Sequence, residues 1–190
     1  SMIGNDKDKF NEYLQTINRQ IKDIEKLVNE FSNFARMPSP VFKKIRIKDI
    51  IYRAVDFLKP SIKSKIVIND INEKYFIKGD EDQLNRVFIN ILKNADESIF
   101  EIINKKPNYK GKIDIEISTN NDYIIILTSD NGNGIENTKK IMTPYFTTKR
   151  NGTGLGLPIV NKIINEHSGE FIIKNKKQGA LVEIWLPNFK

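Results

Sequence analysis

At 190 residues and 39% hydrophobic content, the chain can bury one well-packed domain plus an appendage, or two small domains. It has no cysteine and one histidine, which excludes disulfides and thiolate metal sites and argues against an all-protein zinc site. Its 31 basic and 24 acidic residues give a net charge of +7, but no basic stripe is interleaved with aromatics, so nucleic acid is not an expected partner.

No run of 18 apolar residues occurs, so no membrane span is expected. Ser1-Met2 reads as an expression scar ahead of an internal fragment, so the parent protein is expected to be longer.

Residues 8 to 36 are predicted to form one long helix. Phe10, Ile17, Ile24 and Phe31 recur every seven residues, and so do Leu14, Ile21, Val28 and Ala35. That alternation is the apolar seam of a helix packed against others, and Tyr13, Leu27 and Phe34 widen it toward a helical bundle. The alternative is an amphipathic helix folded onto its own domain. Met37-Pro38-Ser39-Pro40 stops the helix, because each proline disfavours helical backbone in the residue before it. The expected organisation is therefore a helical segment over 1–38, a linker over 39–44 and a domain over 45–190.

Past the linker the pattern turns mixed. A helix is predicted from Lys48 to Leu58, then short strands from Ile66 to Ile71 and Tyr75 to Lys78. Asp80 can cap a helix running from about Glu81 to Asn104. Lys112 to Thr119 and Tyr123 to Ser129 read as a hairpin around Asn120-Asn121-Asp122. A loop of about twenty residues follows, long enough to suggest function. A helix from Leu155 to His167 and a hairpin of Gly169 to Asn175 with Ala180 to Leu186 complete the chain.

Three motifs occur in order. Asn90 and Asn94 lie four apart on one helix face, where two carboxamide oxygens can hold a hard cation such as Mg²⁺. Asp130 ends an apolar strand, and a buried carboxylate there needs a donor such as an adenine amino group. Gly132 and Gly134 after it let the backbone approach a planar base. Gly152, Gly154 and Gly156 open a helix, whose unpaired amides and dipole favour phosphate. The spacing is neither that of the dinucleotide fingerprint nor of a P-loop. Thr147, Thr148, Lys149 and Arg150 stand ahead of it as further phosphate donors. Each motif alone has a bland reading; their succession points to a nucleoside triphosphate site.

From about residue 8 to the end, the chain resembles sensor histidine kinases of two-component systems. The pattern from Asn90 through Leu157 resembles their ATP-binding catalytic domain, which shares the GHKL or Bergerat fold with DNA gyrase, MutL and a heat-shock chaperone. The Thr-Pro-Tyr-Phe-Thr-Thr-Lys phrase and the Phe-Ser-Asn-Phe-Ala-Arg helix end are most similar to nitrogen-regulation sensors of the NtrY and NtrB kind. The resemblance implies an α/β (α+β) two-layer sandwich, with a mostly antiparallel sheet packed on helices, preceded by a bundle-forming helix. It implies Mg²⁺ on Asn90 and Asn94, and adenine on Asp130. Asp130, Gly132 and Gly134 would match the first glycine box, with Ile135 beside the nucleotide, and Phe146 would belong to a mobile lid from about Glu136 to Asn151. Gly152, Gly154 and Gly156 would match the second, with Thr153, Leu155 and Leu157 also at the nucleotide, and Asn90 and Lys149 would serve catalysis. It also implies a homodimer through the N-terminal helices and a response-regulator receiver domain as partner. The domain would be cytoplasmic, with any inner-membrane anchor of the parent protein outside this chain.

Two departures accompany the resemblance. The phosphoacceptor histidine phrase is absent, and His167 reads as structural. Many such kinases carry a lysine three residues after the second asparagine. Here that position is Glu97, so phosphate contact falls to Lys93, Lys149 or Arg150, or is unfilled. Two rival readings are a GHKL ATPase, in which Asn90 would have to be a glutamate base, and a nucleotide-binding scaffold.

Overall fold

The computed structural model describes residues 2–69, 74–120, 122–138, 140–149 and 152–189, and within its first helix the side chains of residues 9–22, 24, 25, 28, 29, 31 and 32. That helix, α1 (Met2–Ala35), runs unbroken to the proline-containing linker. Its seam residues Phe10, Leu14, Ile17, Ile21, Ile24, Val28 and Phe31 are all exposed, as is Tyr13. Among the described side chains the seam is thus not buried against the domain, and its contact there is the Phe31 ring 6.4 Å from that of Tyr145. Each such side chain forgoes about 1.5–3 kcal/mol of burial while it stays in water. The widening contributions of Leu27 and Phe34, and the seam position of Ala35, lie outside the described side chains.

The linker is tied down more firmly than its sequence suggests. Gln83 Nε2 donates to the Pro38 carbonyl at 2.9 Å and the Val41 amide donates to Asp80 Oδ2 at 2.8 Å. The Phe42 ring meets His167 edge-on, with centroids 5.1 Å apart. Directly after it comes β1 (Lys43–Arg46), which pairs antiparallel with β3 (Phe76–Gly79). The sequence pattern missed β1 and assigned its first two residues to the linker. Lys43 and Lys44 are exposed, so no alternation marks the strand.

α2 (Ile47–Leu58) turns Ile47, Ile50, Ile51, Ala54 and Leu58 into the core. β2 (Lys65–Ile68) is shorter than expected, and the Ile71 end of the predicted strand lies outside the described residues. α3 (Glu81–Lys105) starts where Asp80 accepts from the amides of Asp82 and Gln83 at 3.1 and 3.0 Å. These are donors that a helix start leaves unpaired. β4 (Lys112–Thr119) and β5 (Tyr123–Asp130) form the predicted hairpin, followed by the long connection to α4 (Gly156–Glu166). β6 (Glu170–Asn175) and β7 (Ala180–Pro187) close the chain.

The large sheet has the order β2-β4-β5-β7-β6, with β2 parallel to β4 and the other pairs antiparallel. α2, α3 and α4 form the second layer. Phe88, Leu92 and Ile99 of α3 and Ile163 of α4 share one core with Ile113, Ile115, Ile124, Ile126 and Ile184 of the sheet. This is the two-layer α/β sandwich expected. Alternation along β5 sends Ile124, Ile126, Thr128 and Asp130 to the same buried face. A strand with this period delivers a carboxylate beneath α3 as its last inward residue.

Candidate functional site

A cavity of about 500 Å³ opens between α3, the end of β5, the connection after it and the start of α4. Asn90 and Asn94, Asp130, Gly134 and Ile135, Phe146 to Lys149, and Gly152, Thr153, Gly154, Gly156 and Leu157 all line it. Segments up to 96 residues apart in sequence, from Arg86 to Val182, meet there.

At one end sits Asp130, 9% exposed. Its Oδ1 accepts from the Gly132 amide at 2.8 Å and the Ala180 amide at 3.3 Å. Burial pushes its pKa above the ordinary carboxylate value, although those amides, with Lys176 and Lys149, pull the other way. A half-satisfied buried carboxylate is poised to accept one more donor, as a base amino group would provide. Gly132 does not line the cavity; a Cβ there would lie 2.4 Å from Ser98 Oγ, so the residue lets the turn press against α3. Gly134 has φ of +75°, and Asn175 clamps the next residue by accepting from the Ile135 amide and donating to its carbonyl, both at 2.7 Å. Gly179, at φ +78°, lies so close that a Cβ would come within 2.0 Å of the Asp130 carbonyl oxygen. Ser98, Asn175, Gly179 and Ala180 were not anticipated as site residues, because no local motif marks them.

At the other end, Asn90 Nδ2 donates to the Arg86 carbonyl at 2.8 Å. That bond turns Oδ1 toward α4, where a Cβ on Gly156 would stand 3.0 Å from it. Asn94 Oδ1 accepts from Lys149 Nζ at 3.1 Å, and the same ammonium reaches Glu97 Oε2 at 2.5 Å. Both asparagines therefore present oxygen on one helix face, and the oxygen of Asn94 already faces a cation. This donor set suits Mg²⁺, which takes few protein ligands and retains water or phosphate oxygens.

α4 begins at Leu155 without a side-chain cap. Pro158 has no N–H, so the open amides at this helix start belong to glycine-loop residues such as Gly156 and Leu157. Their direction and the helix dipole favour an anion. Gly154 has φ of +68°, and a Cβ there would lie 2.5 Å from the Tyr145 carbonyl carbon, so the loop folds directly onto Tyr145-Phe146. The side chain of Leu155, by contrast, is fully buried in the core and does not line the cavity. Of the three phosphate-contact candidates, Lys93 lines the cavity with its ammonium 4.0 Å from Glu97, Lys149 is held as above, and Arg150 lies outside the described residues.

His167 stands apart from this chemistry. Its Nε2 accepts from the Asp80 amide at 2.9 Å and Nδ1 meets the Ile163 carbonyl at 2.8 Å. One nitrogen accepts and the other donates, so the ring is neutral, and burial lowers its pKa. It joins the end of α4 to the start of α3.

Fold and site together define a nucleotide-binding α/β sandwich with an asparagine pair, an inward aspartate and a glycine-rich helix start. Residues 79–190 match the family described as histidine kinase-, DNA gyrase B- and HSP90-like ATPases, and the chain belongs to it. A sensor histidine kinase of Rickettsia prowazekii described as NtrY-like is 35% identical over 184 residues, covering 95% of this chain and 30% of that protein. The chain thus spans about 30% of the length of this relative. Among solved structures, the nucleotide-free catalytic domain of histidine kinase ThkA superposes with a TM-score of 0.67 at 27% identity, covering 77% of this chain and 95% of that one. ThkA in complex with the response regulator TrrA shares the fold over 93% of this chain and 51% of that one, with a TM-score of 0.73 at 22% identity.

Proposed function

We propose that this domain binds ATP with Mg²⁺ and donates the γ-phosphoryl group to a histidine on a helical hairpin supplied by other parts of the protein. The observation that carries the reading is a single cavity with Asp130 at one end and Asn90, Asn94 and the uncapped α4 start at the other. Asp130 would accept from the adenine amino group, and Gly134 and Ile135 would pack along the base. The amides of Gly154 to Leu157, with Thr147, Thr148 and Lys149, would take the phosphates. Asn90 and Asn94 would hold Mg²⁺, which when bound would neutralise phosphate charge. Phosphoryl transfer needs mostly positioning and charge neutralisation, and this cavity offers both.

Asn90 also separates transfer from hydrolysis. A carboxamide cannot take a proton from water, and its Nδ2 is already committed to the Arg86 carbonyl. An ATPase of this fold would need a base there.

The exposed seam of α1 fits the dimerisation segment over 1–38, with the linker over 39–44 and the catalytic domain over 45–190. Packing that seam in a homodimeric four-helix bundle would bury the side chains now left in water. By analogy with the ThkA–TrrA complex, the phosphoryl group would pass to a receiver domain. The domain would work in the cytoplasm. Among the described residues no helix is long and apolar enough to cross a membrane, so any anchor would belong to another part of the protein.

The test mixes this chain with the acceptor hairpin of the same protein and γ-labelled ATP. Acid-labile label on a hairpin histidine is the expected result. Acid-stable label, or release of free phosphate without labelling, would overturn the reading.

A further inference from the structure

Among the described residues of the connecting loop, Lys149 reaches across the cavity to α3. Its ammonium touches two groups one turn apart on that helix, Asn94 Oδ1 at 3.1 Å and Glu97 Oε2 at 2.5 Å. Its backbone is the knot of a tight turn: the Lys149 amide donates to Thr147 Oγ1 at 3.1 Å, and the Gly152 amide donates to the Lys149 carbonyl at 3.2 Å. Movement of the ammonium can thus be passed to the turn formed by Thr147, Lys149 and Gly152. The ion pair and the Asn94 contact tie this part of the loop to α3 across the cavity.

A nucleotide polyphosphate entering the same cavity sets up a competition. Lys149 can neutralise the phosphates or Glu97, and in its present position it also fills the place where Asn94 would meet a metal. Glu97 itself lines the cavity and repels the incoming charge. From this geometry we propose that Glu97 is a positioning residue. It latches Lys149, and with it the lid, onto α3 until a polyphosphate takes the ammonium, and so it sets nucleotide affinity. The role rests on the assignment of this cavity to ATP.

The latch makes two distinct demands. Without nucleotide, Glu97→Ala and Lys149→Met should each free the loop, and the double variant should free it no further, because both remove the same contact. With nucleotide, the two should diverge. Glu97→Ala removes the competitor and should bind ATP with Mg²⁺ up to about fivefold more tightly, the range open to a half-exposed ion pair. Lys149→Met removes a phosphate partner and should bind more weakly. A structural role for Glu97 would not improve binding.

The experiment is amide hydrogen exchange of residues 141–149 and 152–156 in the nucleotide-free chain for wild type, both single variants and the double. ATP titrations of the same proteins with Mg²⁺ accompany it. Faster exchange in each single variant, no further increase in the double, and tighter ATP binding by Glu97→Ala support the latch. Unchanged exchange in Glu97→Ala, additive effects, or ATP binding by that variant no tighter than wild type would overturn it. If wild type binds no nucleotide while the exchange pattern holds, the assignment of the cavity fails and the affinity-setting role with it, but the lid contact stands.

Discussion

Asp130 and Lys149 line one cavity, yet they are held there by different means. Asp130 is the last inward residue of a central strand, with two backbone amides on its Oδ1 and Gly179 packed against its carbonyl. It has nowhere to move. Lys149 hangs from a long connection by a flexible stem, and its ammonium is shared between two side chains of α3. A rigid aspartate suits a base whose shape never changes, whereas a mobile lysine suits phosphates that arrive, react and leave. The first end would supply selectivity and the second adaptability.

The sharpest way to break this comparison is Asp130→Asn. Loss of the charged acceptor should weaken ATP binding about 100-fold or more by calorimetry. The fold should not suffer, since burial already disfavours the charge and an amide oxygen can still accept from Gly132 and Ala180. Because the pKa of Asp130 is raised, its charged form costs stability above the folded pKa, and that cost disappears as pH falls through it. At pH 7 the variant should therefore melt no lower than wild type. A large drop in melting temperature would make Asp130 structural instead.

Gly179→Ala attacks the same end through its support. A Cβ 2.0 Å from the Asp130 carbonyl at positive φ should cost about 2–3 kcal/mol in chemical denaturation. A neutral result would mean that the turn against Asp130 yields easily. At the phosphate end, Asn94→Ala should weaken ATP binding about tenfold with Mg²⁺ and little in a chelator. Equal losses under both conditions would remove the metal from Asn94.

The smallest effect concerns His167, outside the cavity. Its folded pKa is below the ordinary 6.5 because burial disfavours the imidazolium, against opposing contributions from the Ile163 carbonyl and nearby carboxylates. The unfolded chain takes up that proton near pH 6.5 and the folded chain only lower. Stability present above 6.5 should thus be lost as pH falls through the folded pKa. His167→Gln should flatten the dependence of melting temperature on pH between 7.5 and 5.5. An unchanged slope would place the titration elsewhere.

What the sequence made legible divides along similar lines. α3 was readable because apolar spacing and the Asp80 cap are local signals, and Asp130 because an apolar strand precedes it. Asn90, Asn94 and the glycine loop stood out as short motifs. β1 escaped because two of its four residues are exposed lysines and its partner β3 lies beyond α2. Leu155 sat inside a glycine motif, and only the fold reveals that its side chain turns into the core. The bonds from Lys149 to Glu97 and from Ala180 to Asp130 span 52 and 50 residues, and local pattern carries no trace of either.

The central claim is that this cavity reads adenine through Asp130. Calorimetric titration of the intact chain with ATP and with GTP, both with Mg²⁺, tests it most directly. Binding of ATP with GTP at least about 100-fold weaker is expected, because guanine presents a carbonyl where adenine donates. Equal affinity for the two nucleotides, or binding of GTP alone, would contradict the account.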